Sequence, residues 1–239
     1  MRSFNQTQPR FDTVLPRVSD FQRRQREDAL TGDGSGASTL QSSLDASLLQ
    51  DLQRFEDPAR QGLGPEVLEV MAAAVRHGRA LQVLLEHEGW VLPLTVRPQQ
   101  HTVQAPLERT QWGLLRWAGL KVLQVEPAPS AESETGLHAA PLSLVLWALA
   151  LHGSRAELLP EIAGPVAYRI APATDLTGLD LSGVLAPAVL RLHKHTTTLA
   201  ELSQWPGFDR ERAMRLLNGL YLQAGLMITR THPAAVASH

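Results

Sequence analysis

The sequence predicts an α+β protein in two parts: a small antiparallel sheet with packed helices, then a helical C-terminal module closed by a strand. Two observations carry that prediction. Between residues 65 and 126 the apolar period switches from helical to alternating and back. Over residues 179–239 a long helical stripe, a short one, a Gly-containing turn and a second long stripe lead into a final alternating run. A chain of 239 residues is long enough to bury a core in each part.

Residues 1–43 are rich in Gln, Arg, Ser, Asp and Gly and end near the run Thr31 to Ser38, a composition with too little apolar surface to offset its ordering entropy. A flexible tail is expected there. Within it Phe11, Val14, Leu15, Val18 and Phe21 fall at near-helical spacing beside Arg17, Arg23, Arg24 and Arg26, the pattern of a segment that folds on a partner or of a basic arm. Six Arg against four acids in residues 1–30 leave only +2, which favours a solvated tail.

Residues 44–126 form the expected α+β domain. Leu44, Leu48, Leu49, Leu52 and Phe55 line one helical face. Pro65 opens a second helix through Val67, Leu68, Met71, Ala74 and Val75, with Gly78 as its stop. Ala80 to Glu86 and Trp90 to Val96 read as the strands of a hairpin about Glu88 and Gly89. Pro93 has no N–H to donate, so its strand is an edge there or its register avoids that position. His101 to Val103 adds a short strand, Pro106 opens a helix over 107–118, and Leu120 to Val125 alternates as a half-buried strand. Residues 127–137 read as a linker, and residues 138–178 as a buried helix at 141–151 with a connecting segment that turns extended at Val166 to Ile170.

In residues 179–239 the stripe Leu181, Val184, Leu185, Ala188, Val189 and Leu192 is interrupted by Pro187, so a kink or a late start is expected. Thr196 to Thr198 offers caps for a short helix from Leu199, and Asp209 caps a longer one whose third position is Arg212, not the Glu of a capping box. Ala213, Leu216, Leu217, Leu220 and Ala224 converge on one face of that helix; Glu211, Arg215, Asn218, Gly219 and Leu222 fall opposite. Gly225 ends it and Leu226 to Thr231 alternates. The order of elements, with Leu199 to Leu202 and the run Leu217 to Leu226, resembles the winged-helix superfamily. That resemblance covers about the last fifth of the chain and implies a winged-helix-like C-terminal domain, a fold of binding. In DNA-binding members the second helix of the pair lies in the major groove, which here would present Arg210, Arg212, Arg215 and Asn218.

Charge argues for restraint. The net charge is −2 and the pI near 6.5, and residues 191–239 carry six basic residues against three acids, a net of +3. Phosphate binding needs a stronger basic stripe, and Leu222 beside Gly219 suits close packing against a protein. No nucleotide, hydrolase or metalloprotease motif occurs, cysteine is absent, and His87 or the pair His193 and His195 lack further ligands at metal spacing, so no cofactor and no metal is expected. The five tryptophans read as core. No signal-like apolar segment occurs near Met1, and the longest apolar run, Pro141 to Leu151, is about half of a membrane span. The expectation is therefore a cytoplasmic, non-catalytic regulatory or adaptor protein that binds a protein partner through Arg210, Arg212, Arg215, Asn218 and Leu222. The alternative is a DNA-binding transcriptional regulator using the same helix.

Overall fold

The computed structural model describes residues 15–30, 46–54, 66–129 and 136–230. The chain divides into two compact units, Met1–Pro141 and Leu142–His239, and it is α+β with antiparallel sheets in both. Among the described residues no helix is long and apolar enough to cross a membrane.

The first unit holds helices α1 (Val18–Leu30), α2 (Ala46–Arg54) and α3 (Val67–His77), then strands β1 (Leu81–His87), β2 (Trp90–Arg97) and β3 (Thr102–Ala105). A one-turn helix α4 (Arg109–Trp112) precedes β4 (Lys121–Pro127) and β5 (His138–Pro141). The strands form one antiparallel sheet in the order β4-β1-β2-β3-β5. Helix α3 starts two residues later than Pro65 implies. Its N-cap is Glu66, whose N–H is accepted by the Glu69 carboxylate at 3.1 Å, while Pro65 lies outside the described residues. Its stop is the expected Gly78, left-handed at φ +61°.

The β1–β2 hairpin turns on Glu88 and Gly89, both at positive φ, as a two-residue hairpin loop requires. His87 and Trp90 close that loop as a hydrogen-bonded pair, so by alternation Pro93, opposite Leu84, falls in a non-hydrogen-bonded pair. Its missing N–H faces the other flank, where β3 begins pairing only at Thr95. Pro93 is thereby accommodated inside a five-stranded sheet. The same outward flank of β2 holds the chain before α1: Val91 N–H donates to Pro16 O at 2.9 Å, Val18 N–H donates to Gly89 O at 3.0 Å, and the Arg17 guanidinium lies 4.6 Å from the centroid of Trp90. Residues 18–30 of the expected tail are thus helical, and the rest of that tail except 15–17 lies outside the described residues.

Three expectations for this unit need correction. The helix expected over 107–118 is one turn long, because Gly113 ends it; Leu107, Leu115 and Trp117 are buried from a loop and a 3-10 turn, and Leu114 is 58% exposed. Strand β4 does not alternate strictly, since its register against β1 shifts between Leu84 and Leu85 and leaves Leu123 as an extra residue. Residues 138–141, expected as the start of a helical segment, pair with β3 as the edge strand β5.

The second unit runs α5 (Leu142–His152), β6 (Val166–Ile170), α6 (Leu185–Lys194), β7 (Thr197–Thr198), α7 (Leu199–Leu202), α8 (Arg210–Leu222) and β8 (Leu226–Arg230). Its sheet has the order β7-β6-β8, antiparallel throughout. The central strand precedes the helices in sequence, so β8 pairs with β6 over the full span Val166 to Ile170 and not with a following strand. Helix α6 takes the late start, with Pro187 in its first turn, where a missing N–H costs nothing. Thr198 caps α7 in a capping box with Glu201, and Asp209 caps α8 by accepting from Arg212 N–H at 2.7 Å. The left-handed residue after α8 is Ala224 at φ +53°, one position before the expected Gly225.

Candidate functional site

The candidate binding helix α8 is the middle of the second unit, and the structure separates its five candidate residues into two groups. Arg210 and Arg212 are exposed in its first turn. The Arg212 side chain donates to Gly207 O and so braces the turn before the helix. Arg215, Asn218 and Leu222 are not an outward face. Arg215 ion-pairs with Glu211 at 2.9 Å and donates to Gly153 O at 2.7 Å and Leu151 O at 3.3 Å, where it satisfies carbonyls at the end of α5. Asn218 is fully buried. Its Oδ1 accepts from Leu159 N–H at 2.9 Å and its Nδ2 donates to Glu157 O at 2.8 Å. Leu222 is buried as well.

The cover is α5 together with the 157–159 loop. Helix α5 is apolar nearly all round (LSLVLWALALH), so it must be buried on more than one side. It lies against the face of α8 that carries Gly219, where an added Cβ would come within 2.9 Å of two carbons of the Trp147 ring. Trp147 is held in that place by its indole N–H, which donates to Asp180 O at 3.0 Å. Asn218, Gly219 and Leu222, expected to face outward, are instead buried, because α8 is covered on this face as well as on the one that carries Ala213, Leu216, Leu217 and Leu220. The sequence signals for this were the lack of a polar face on α5 and a glycine in the middle of a long helix.

Sequence reasoning missed a second feature of this unit. An open groove of about 510 Å³ runs beside β7. One wall is the extended run from His195, at φ −127° and ψ 137°, through Thr196 and β7 to Thr198. Strand β7 is an edge of the sheet, with β6 on one side only. The facing residues include Gln204, Trp205 and Pro206. Trp205 is 8% exposed, and the Arg191 guanidinium sits over its ring at 4.3 Å from the centroid. Glu201 also lines the groove, but its carboxylate is engaged: it accepts from Thr198 N–H at 2.8 Å and Thr198 Oγ1 at 3.1 Å, and these bonds hold it below the ordinary carboxylate range. Arg191 and Trp205 lie 14 positions apart, and no periodicity links them.

His193 lies in the last turn of α6 and its carbonyl accepts from Arg169 Nε at 3.3 Å, while His195 is exposed at the groove. Among the described residues no group of three or more His, Cys, Asp or Glu is arranged to hold a metal ion. In the first unit, His87 is buried at the end of β1, and burial is the main cause that pushes its imidazole below the usual histidine range; the nearby Arg116 adds to this and Glu88 opposes it. Comparison of the chain with protein-family models, with curated proteins and with solved structures finds no match in any of the three.

Proposed function

We propose that this chain is a cytoplasmic, non-catalytic regulatory or adaptor protein that acts through protein–protein binding, and that its second unit is a winged-helix-like module with β6 as the central strand of its sheet. The observation that carries this reading is the groove beside β7. An edge strand offers backbone N–H and C=O groups to another chain; here His195 N–H donates to Arg191 O and Thr198 N–H to Glu201, so the edge that remains is Thr196 and Thr197, flanked by an aromatic ring, a proline and a cation. The order α6, α7, α8, β8 supports the winged-helix-like reading.

The alternative, a DNA-binding regulator, rests on Arg210 and Arg212 at the exposed start of α8. Groove reading needs a helix with an open face. Most of α8 is covered, with Arg215, Asn218 and Leu222 engaged inside the unit, so protein binding is the better-supported reading. The test is fluorescence anisotropy of a random duplex with the full chain at low salt, beside affinity capture followed by pairwise reconstitution with each purified candidate. A reconstituted complex that survives Arg210→Ala with Arg212→Ala, and no duplex binding, is the expected result. Tight duplex binding that collapses with salt and with that double substitution would reverse the order of the two readings.

A further inference from the structure

We propose that the groove beside β7 is a carboxylate-reading peptide site, in which an extended acidic segment of a partner pairs with the edge strand and places one carboxylate on Arg191. This deepens the protein-binding reading and rests on it.

Arg191 is the informative residue. Its guanidinium is held over the face of Trp205 at 4.3 Å, an attraction between cation and ring quadrupole. Trp205 is itself fixed by burial. Among the described residues the Arg191 guanidinium makes no hydrogen bond; besides Trp205 it acts through its charge on Glu201. The contact with the ring engages none of the five guanidinium N–H donors in a hydrogen bond to an acceptor oxygen, so the fork remains available to a ligand. A long side chain that would otherwise lose rotamer entropy on binding is already positioned, which is the condition under which a bidentate carboxylate contact gains affinity. Arg215 makes the contrast: its N–H groups are engaged by Glu211, Leu151 and Gly153.

The backbone beside Arg191 identifies the rest of the ligand. The sheet covers β7 on one side only, and within the run 195–198 the N–H groups of His195 and Thr198 are engaged by Arg191 O and Glu201, so Thr196 and Thr197 are the positions at which an added backbone would pair. Such an edge is matched by another peptide backbone and not by a phosphodiester chain, which has no N–H and C=O ladder to offer. Charge points the same way, since Arg191 stands in the groove wall and the one carboxylate there, Glu201, already accepts two hydrogen bonds from Thr198. Alternate residues of an added strand point to one face, so a peptide with glutamate at alternate positions presents a carboxylate to Arg191 whichever of them lies opposite it.

The test is a titration of the full ¹⁵N-labelled chain with a blocked peptide of alternating threonine and glutamate, and with its glutamine counterpart, followed by NMR. The glutamate peptide is expected to shift the Arg191 Nε–H, the Thr196 to Thr198 amides and the Trp205 indole saturably, with the glutamine peptide weaker by about tenfold, the equivalent of one charge-assisted hydrogen bond. Arg191→Lys, which keeps the charge and loses the fork, is expected to weaken the glutamate peptide by about tenfold and leave the glutamine peptide unchanged. Equal affinity of the two peptides for the unmodified chain overturns the proposal without reference to any variant. Shifts confined to residues outside the groove overturn it and leave the protein-binding reading standing. Duplex DNA that shifts the amides of Arg210 and Arg212, with no response to either peptide, overturns both.

Discussion

Asn218 acts as a piece of backbone. With one acceptor and one donor it closes the peptide groups at 157 and 159, neither of which has a strand or helix partner to turn to. Asn218→Ala leaves the buried Leu159 N–H without that partner, while Glu157 O keeps its bond from Arg155 Nε at 2.9 Å, so a loss of about 1–3 kcal/mol is expected in chemical denaturation. Gly219 shows two effects in competition. Replacing it by Ala improves helix propensity by about 1 kcal/mol, but the new Cβ meets a Trp147 ring pinned by its bond to Asp180. Overpacking of that kind costs about 1–3 kcal/mol, so Gly219→Ala is expected to lower the melting temperature despite the helical gain. A higher melting temperature would mean that Trp147 is free to move. These residues stand next to each other in the chain and both join α8 to what covers it.

At the scale of elements, caps and turns decide where the chain changes direction. Thr198 ends the extended wall of the groove and begins α7 through its reciprocal bonds with Glu201. Thr198→Ala is expected to cost about 1 kcal/mol and to raise amide exchange at Glu201 more than in β6. In the first unit, α2 is tied to α3 by Asp51, which accepts from Arg76 and, at 2.9 Å, from His77; burial opposes its charge, but the hydrogen bond from His77 and the Arg76 guanidinium hold the carboxyl below its usual value. Strand β1 ends on a buried His87 that favours the neutral ring. Its folded pKa lies below the unfolded value of about 6.5, so the unfolded chain binds the proton first and stability falls as pH drops through that value. Urea melts of the natural chain and His87→Gln at stepped pH should show a flatter decline below about pH 6.5 in the variant; parallel declines would remove His87 as a cause.

At the scale of the whole molecule, the two units have separate cores, one built on β1, β2 and α3 and the other on α5, α8 and β6. The net charge of −2 sets no long-range field, so binding has to come from local arrangement, as with Arg191 on Trp205. A minimum of solubility near the pI of 6.5 is expected by light scattering against pH. The same near-neutrality predicts that association with a peptide ligand is less salt-sensitive than association with nucleic acid would be.

Local chemistry made most elements readable from sequence. Gly78 ended α3, Glu88 and Gly89 turned the hairpin, Thr198 and Asp209 capped α7 and α8, and Pro187 delayed α6, because each of these acts within about one turn of its own position. The tertiary structure alone decided what lies opposite each face. Whether Asn218, Gly219 and Leu222 meet solvent depends on α5, more than 60 residues earlier, and the pairing of β8 with β6 depends on a strand that precedes both helices of the pair. The groove belongs to that second class too. Its cation and its ring come from different elements, and helical or strand periodicity reports only the faces of one element at a time.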